Sequence, residues 1–144
     1  MNKSRDRGSV AVELAILTPA MILFFLVTVV AGRITLAQQA AEAAAFEAAR
    51  TASLARDAGT AHDDGEAAAL ASFASQGIQC TAPLVVEVDT SGFGIEPPGT
   101  AVVTATVSCS VQLSDVALPG MPGSLTLAAE FTSPLDRYRS RSTP

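Results

Sequence analysis

Glu13 is the single charge in an apolar run that begins at Gly8 and continues to Gly32. A carboxylate in apolar surroundings is costly unless it is paired or protonated, so its chemistry there is ion pairing rather than catalysis. Cys80 and Cys109 are the other candidates, either as one disulfide or as two unpaired thiols. His62 stands beside Asp63 and Asp64. A metal site needs more ligands at suitable spacing than one His and two adjacent acids, so no metal and no cofactor is expected. The lone His has no visible connection to either Cys, no Ser/His/Asp set or phosphate loop appears, and no paired acids have a cleft-forming spacing. Asp89-Thr90-Ser91-Gly92-Phe93-Gly94 reads as a turn. Neither enzymatic activity nor a small-molecule substrate is expected.

The balance of charge narrows the partners. Lys3, Arg5 and Arg7 precede the apolar run against Asp6 alone, and the remaining residues hold 6 basic against 13 acidic side chains. No basic patch interleaved with aromatics occurs after residue 36, which argues against nucleic acid. Arg137, Arg139 and Arg141 alternate through a polar tail, residues 137–144, and read as a solvated end. With no Trp and few large apolar residues after residue 36, any water-facing core must be small.

Between Glu13 and Arg33 lie 19 uncharged residues. At about 1.5 Å per residue, a helix of that length crosses roughly the hydrocarbon thickness of a bilayer. Leu, Ile, Val and Phe occupy every side of it, leaving no face for water. Basic residues before it predict a cytoplasmic N-terminus and export of the residues beyond it, with the cytoplasmic membrane as first partner. Pro19 removes one backbone donor and would kink the helix, which membrane helices tolerate. Three fates are open to this segment. A cleaved secretory signal would have an apolar stretch of about 7–15 residues and a small-residue site, and Thr35-Leu36-Ala37 is a poor one. An uncut signal anchor is the second. In the third, a peptidase cuts on the cytoplasmic side of the apolar stretch and the helix is retained.

The third fate accounts for Glu13. A basic leader, Gly8, four residues (Ser9, Val10, Ala11, Val12) and then Glu13 resemble the processing site of type IV-like prepilins. The longer string Arg7-Gly8-Ser9-Val10-Ala11-Val12-Glu13-Leu14-Ala15-Ile16-Leu17-Thr18-Pro19 resembles the TadE-like family of tight-adherence (Flp-type) pilus systems. The resemblance covers about 40 residues. It implies cleavage between Gly8 and Ser9 by a prepilin-type peptidase, and pairing of Glu13 with the N-terminal amine of a neighbouring pilin-like subunit. In the alternative, Glu13 sits in the headgroup zone of an uncut anchor without a role. Flp major pilins are very short and place an aromatic residue after their Glu. Here Leu14 stands in that place, and more than 100 residues lie beyond the apolar helix, which implies an accessory or minor subunit.

The elements that must carry these residues are set by periodicity. Residues 36–57 are rich in Ala, Gln, Glu, Leu and Arg, strong helix formers. The apolar helix is therefore expected to continue from about Ser9 to about Arg56, with Gly59 just past its end. Phe46, Arg50 and Leu54 share a face that packs on the chain's own sheet or on a neighbour. Asp63 and Glu66 have the spacing of a capping box for a second helix with Leu70, Phe73 and Ala74 on its apolar face, ended by Gly77. From residue 100 the period changes to two. Ala101, Val103, Ala105, Val107, Cys109, Val111 and Leu113 alternate with polar residues, as do Leu84, Val86 and Val88, and Leu125, Leu127, Ala129 and Phe131. Gly/Pro loops over 91–99 and 118–123 separate these strands.

The expected architecture is α+β. A long N-terminal helix, half transmembrane and half exported, is joined by a short second helix and a three-stranded antiparallel sheet laid on the helices. The expected boundaries are a leader 1–8, a transmembrane helix 9–35, an exported helix 36–58, an α+β unit 59–136 and the tail 137–144. Pairing Leu84 with Ala105 and Val86 with Val103 would set Cys80 level with Cys109, in a compartment that permits disulfides. A register slip of two would separate them. The sequence thus points to a membrane-anchored, prepilin-like accessory subunit in pilus or related secretion assembly. The alternative is an unprocessed single-pass envelope protein with a small binding domain.

Overall fold

The computed structural model describes residues 6–114, 123–138 and 140. The expected loop over 118–123 lies almost wholly outside them, as do Lys3, Arg5, Arg139 and Arg141. The chain runs through helices α1 (Asp6–Leu54) and α2 (Ala58–Ser75), strand β1 (Val85–Asp89), a 3-10 turn (Ser91–Gly94), and strands β2 (Val102–Gln112) and β3 (Ser124–Pro134). The three strands form one antiparallel sheet in the order β1-β2-β3. This is the α+β arrangement that the change of period predicts. Two compact units divide the chain, Met1–Ile34 and Thr35–Pro144.

The first unit is a stretch of helix with its large apolar side chains outward. Leu14, Ile16, Leu17, Met21, Phe24 and Phe25 are all exposed. The polar side chains among them are satisfied within the helix. Thr18 Oγ1 donates to the Leu14 carbonyl at 2.6 Å and Thr28 Oγ1 to the Phe24 carbonyl at 2.9 Å. A helix that closes its backbone hydrogen bonds except opposite Pro19, and presents hydrocarbon outward, suits lipid as a solvent. Among the described residues this is the one helix long and apolar enough to cross a membrane.

The second unit inverts that logic. Ala37, Ala40, Ala41, Ala44, Ala45, Ala48, Ala49 and Ala52 recur three or four apart on α1 and are all buried. They join Phe73 of α2 and Val103, Ala105, Val107 and Cys109 of β2 in one core. Phe46, Arg50 and Leu54, expected to pack as a face, instead point outward. The methyl stripe takes the inner side because Ala lets the helix backbone approach the sheet closely. Phe46 meets only the sheet's margin, where its ring stands edge-on to Phe131 with centroids 4.8 Å apart.

The start of α2 also differs from expectation. Asp57, not Asp63, is the N-cap. Its carboxylate accepts from the Thr60 amide at 2.8 Å and the Thr60 hydroxyl at 2.9 Å. An acceptor that fills orphan amides six residues earlier leaves Asp63 and Glu66 inside a formed helix, so their capping-box spacing has no role. Gly59 therefore lies in the first turn of α2 rather than just past α1. The buried face of α2 is Ala61, Gly65, Ala69 and Phe73, while Leu70 and Ala74 are exposed. Gly65 faces the first helix so closely that an added Cβ would stand 3.2 Å from the Ala48 carbonyl oxygen and 3.2 Å from the Ala52 Cβ. Gly77, at φ +68°, turns the chain away after the helix end.

The strand register is corrected by four residues. Val86 pairs with Val107 and Val88 with Ala105. An even shift preserves which side chains face the core, and the alternation read from sequence is the observed burial along β2. The shift would part the cysteines if the ladder ran back to Cys80. It does not, because β1 begins at Val85 and the preceding segment leaves the ladder. The Thr81 amide donates to the Ser110 carbonyl at 2.6 Å, which returns Cys80 to the neighbourhood of Cys109.

Candidate processing and assembly site

Gly8 and Ser9 lie near the start of α1, with helical backbone. Glu13 comes four residues after Ser9, one turn further along the same side of the helix. Its side chain is exposed, and no hydrogen bond or ion pair engages it among the described residues. Scission of the Gly8–Ser9 bond would make Ser9 the helix terminus. The new α-amino cation and the unpaired amides of a first turn would then all lie within a turn of Glu13. One cut would thus create a positive charge within about a turn of an acid that no cation engages among the described residues. Helix ends open readily, and this bond lies within the first turn of α1.

Pro19 lies six residues after Glu13, within α1. Its missing N–H leaves the Ala15 carbonyl without the usual partner. The Thr18 hydroxyl does not fill that gap, because it bonds Leu14 instead.

The remaining candidates lie in the second unit. Cys80 and Cys109 stand at disulfide distance, with Cα atoms 5.5 Å apart. Cys109 is buried on β2 and Cys80 half-buried, so the pair ties the segment after α2 to the central strand. His62 Nδ1 lies 3.4 Å from Asp63 Oδ1 on the exposed side of α2. Among the described residues no group of three His, Cys, Asp or Glu side chains is placed to hold a metal ion. Asp57 and Asp89 have carboxyls held below their ordinary range, by the Thr60 amide and hydroxyl and by the Ser91 amide respectively. Both are structural caps, to α2 and to the 3-10 turn.

Three features escaped the sequence reading. The cap at Asp57 was signalled by Thr60 three residues on, in front of a helix rich in Ala. Phe93, buried beneath the 3-10 turn, was hidden in a Gly-rich loop. The Phe46–Phe131 contact carries no local signal, because its partners are 85 residues apart in sequence.

The geometry at the N-terminus therefore consists of a Gly–Ser bond near a helix start, an unpaired acid one turn on, and a lipid-suited helix after it. Residues 8–50 match the family model described as TadE-like protein. The N-terminal segment of this chain is similar to the TadE-like family. The match begins at Gly8, takes in Glu13, Pro19 and the whole apolar stretch, and ends at Arg50 in the Ala-rich part of α1. The second helix, the sheet and both cysteines lie outside the TadE-like segment. No curated protein and no solved structure matches the chain.

Proposed function

We propose that this chain is a membrane-anchored, prepilin-like accessory or minor subunit for assembling tight-adherence pili or a related secretion apparatus. The observation that carries the reading is the TadE-like match over residues 8–50, which begins at Gly8 and spans the unpaired Glu13 and the apolar helix. In this reading a prepilin-type peptidase cuts between Gly8 and Ser9 on the cytoplasmic side of the membrane. The apolar helix then holds the mature protein in the cytoplasmic membrane, and the second unit is extracytoplasmic. Glu13 pairs with the Ser9 amine of a neighbouring pilin-like subunit. Lipid offers an unpaired acid nothing, so the pair favours one register between adjacent helices. Pro19 bends the helix, and Cys80 and Cys109 form the disulfide that the extracytoplasmic compartment allows. The protein carries out no reaction itself.

Intact mass and N-terminal sequencing of the protein from its native membrane test this reading. The expected mature chain begins at Ser9 and keeps the apolar helix. A chain that retains residues 1–8 would establish an uncut anchor instead. A start beyond residue 33 would establish an ordinary secreted domain.

A further inference from the structure

β3 is an edge strand of 11 residues, and among the described residues no fourth strand covers its outer row of amides and carbonyls, where the Gln38 side-chain amide donates to the Ala128 carbonyl at 3.4 Å. Such an edge is a template for another extended segment. Beside it, within the second unit, α1 and β3 enclose a groove of about 520 Å³ lined by Gln38, Glu42, Phe46, Ala128, Glu130 and Phe131. That volume lies within the range of about 300–1,000 Å³ usual for ligand sites. Its floor is aromatic, with Phe46 38% and Phe131 37% exposed. Its rim is acidic, from Glu42 and Glu130, and no cation neutralises either carboxylate among the described residues. The occupant that suits it is extended, with an aromatic side chain flanked by cations.

The chain carries such a segment just beyond β3. Arg137-Tyr138-Arg139-Ser140-Arg141 alternates cations around one aromatic residue and holds no acid. Tyr138 is 93% exposed, so its own chain gives the ring no seat. An alternating sequence places side chains on opposite sides when extended, as an added strand requires.

We propose that this groove and the free edge of β3 receive the C-terminal tail of a second copy of the chain. Tyr138 of the tail packs against Phe46 and Phe131 on the side of Glu42. Arg137 and Arg139 project to the other side of the added strand, the side of Glu130, and the two carboxylates together attract the cationic tail. The proposal concerns contact between extracytoplasmic units and holds whether or not Gly8–Ser9 is cut.

A fluorescent peptide of residues 135–144 titrated against full-length protein in detergent micelles, with anisotropy as the readout, tests it. Saturable binding is expected, weakened by added salt, and reduced about three- to tenfold by Tyr138→Ala in the peptide. A protein carrying Glu42→Lys and Glu130→Lys, exposed positions where folding is checked by circular dichroism, should lose the native peptide. It should bind a peptide with Arg137→Glu and Arg139→Glu instead. Absence of binding, or binding indifferent to these reversals, would overturn the proposal. So would binding that appears only once the protein's own residues 137–144 are deleted, because the groove would then belong to the tail of the same copy.

Discussion

At the scale of a residue, the proposed role of Glu13 in assembly can be separated from processing at Gly8 and Ser9. Glu13→Ala removes the acid but leaves Gly8 and Ser9, so processing should proceed while recovery in sheared pili falls sharply. Normal piliation by that variant would remove assembly from the residue's roles. Glu13 stands out in the sequence because a lone charge in an apolar run has few physical justifications. Asp57 does not, because the competing Asp63–Glu66 spacing looks better locally and only the formed helix decides between two caps. The Thr60 amide holds the Asp57 carboxyl below its ordinary range. A depressed native pKa means the cap's stabilisation is complete above the unfolded value of about 3.9 and fades as pH falls through the native value. Asp89 acts in the same direction through the Ser91 amide. Thermal melts between pH 6 and pH 2, spanning about those two limits, should show Tm falling on the acid side. Asp57→Asn, which keeps an acceptor but cannot ionise, should flatten part of that slope. Asp57→Ala should lower Tm at every pH.

Among the elements, α2 is held by smallness. Gly65→Val forces atoms into a gap bounded by the Ala48 carbonyl, the Ala52 methyl and a Val88 methyl 3.3 Å from an ideal Cβ. Backbone cannot yield as a side chain can, so a loss of about 1–3 kcal/mol is expected from chemical denaturation of the second unit. A midpoint unchanged from wild type would mean that α2 can move away from α1. The strands are the opposite case. Their identity and inward faces could be read from alternation along β2, yet the register could not. Any even shift satisfies the same pattern, and the choice lies in where β1 starts. That choice also places the cysteines. Closing a loop of 29 residues contributes roughly 3–4 kcal/mol. Reduction, or paired Cys80→Ser and Cys109→Ser, should lower the denaturation midpoint accordingly, read by urea titration with and without reductant. An unchanged midpoint would show that the two thiols are not joined in the protein.

On the scale of the whole molecule, two solvents act on one chain. The first unit offers large apolar side chains outward, and the second buries methyl groups under a sheet. Heating in detergent should therefore abolish the strand signal of circular dichroism while much of the helical signal persists. A single cooperative loss of both would mean that the membrane stretch depends on the sheet for its helix. The change along α1 from large exposed apolar side chains to buried alanines is visible in composition, because bulky apolar residues become sparse after residue 36. The choice of alanine has a further result during biogenesis. A buried methylene contributes about 0.8 kcal/mol, so alanines interspersed with Gln38, Gln39, Glu42, Glu47 and Arg50 have little affinity for acyl chains. In the proposed topology, the segment after residue 36 would have little reason to re-enter the lipid as the nascent polypeptide leaves the translocon. It partitions to water unaided, and the boundary of the membrane-embedded portion is drawn by side-chain size along an otherwise uninterrupted helix.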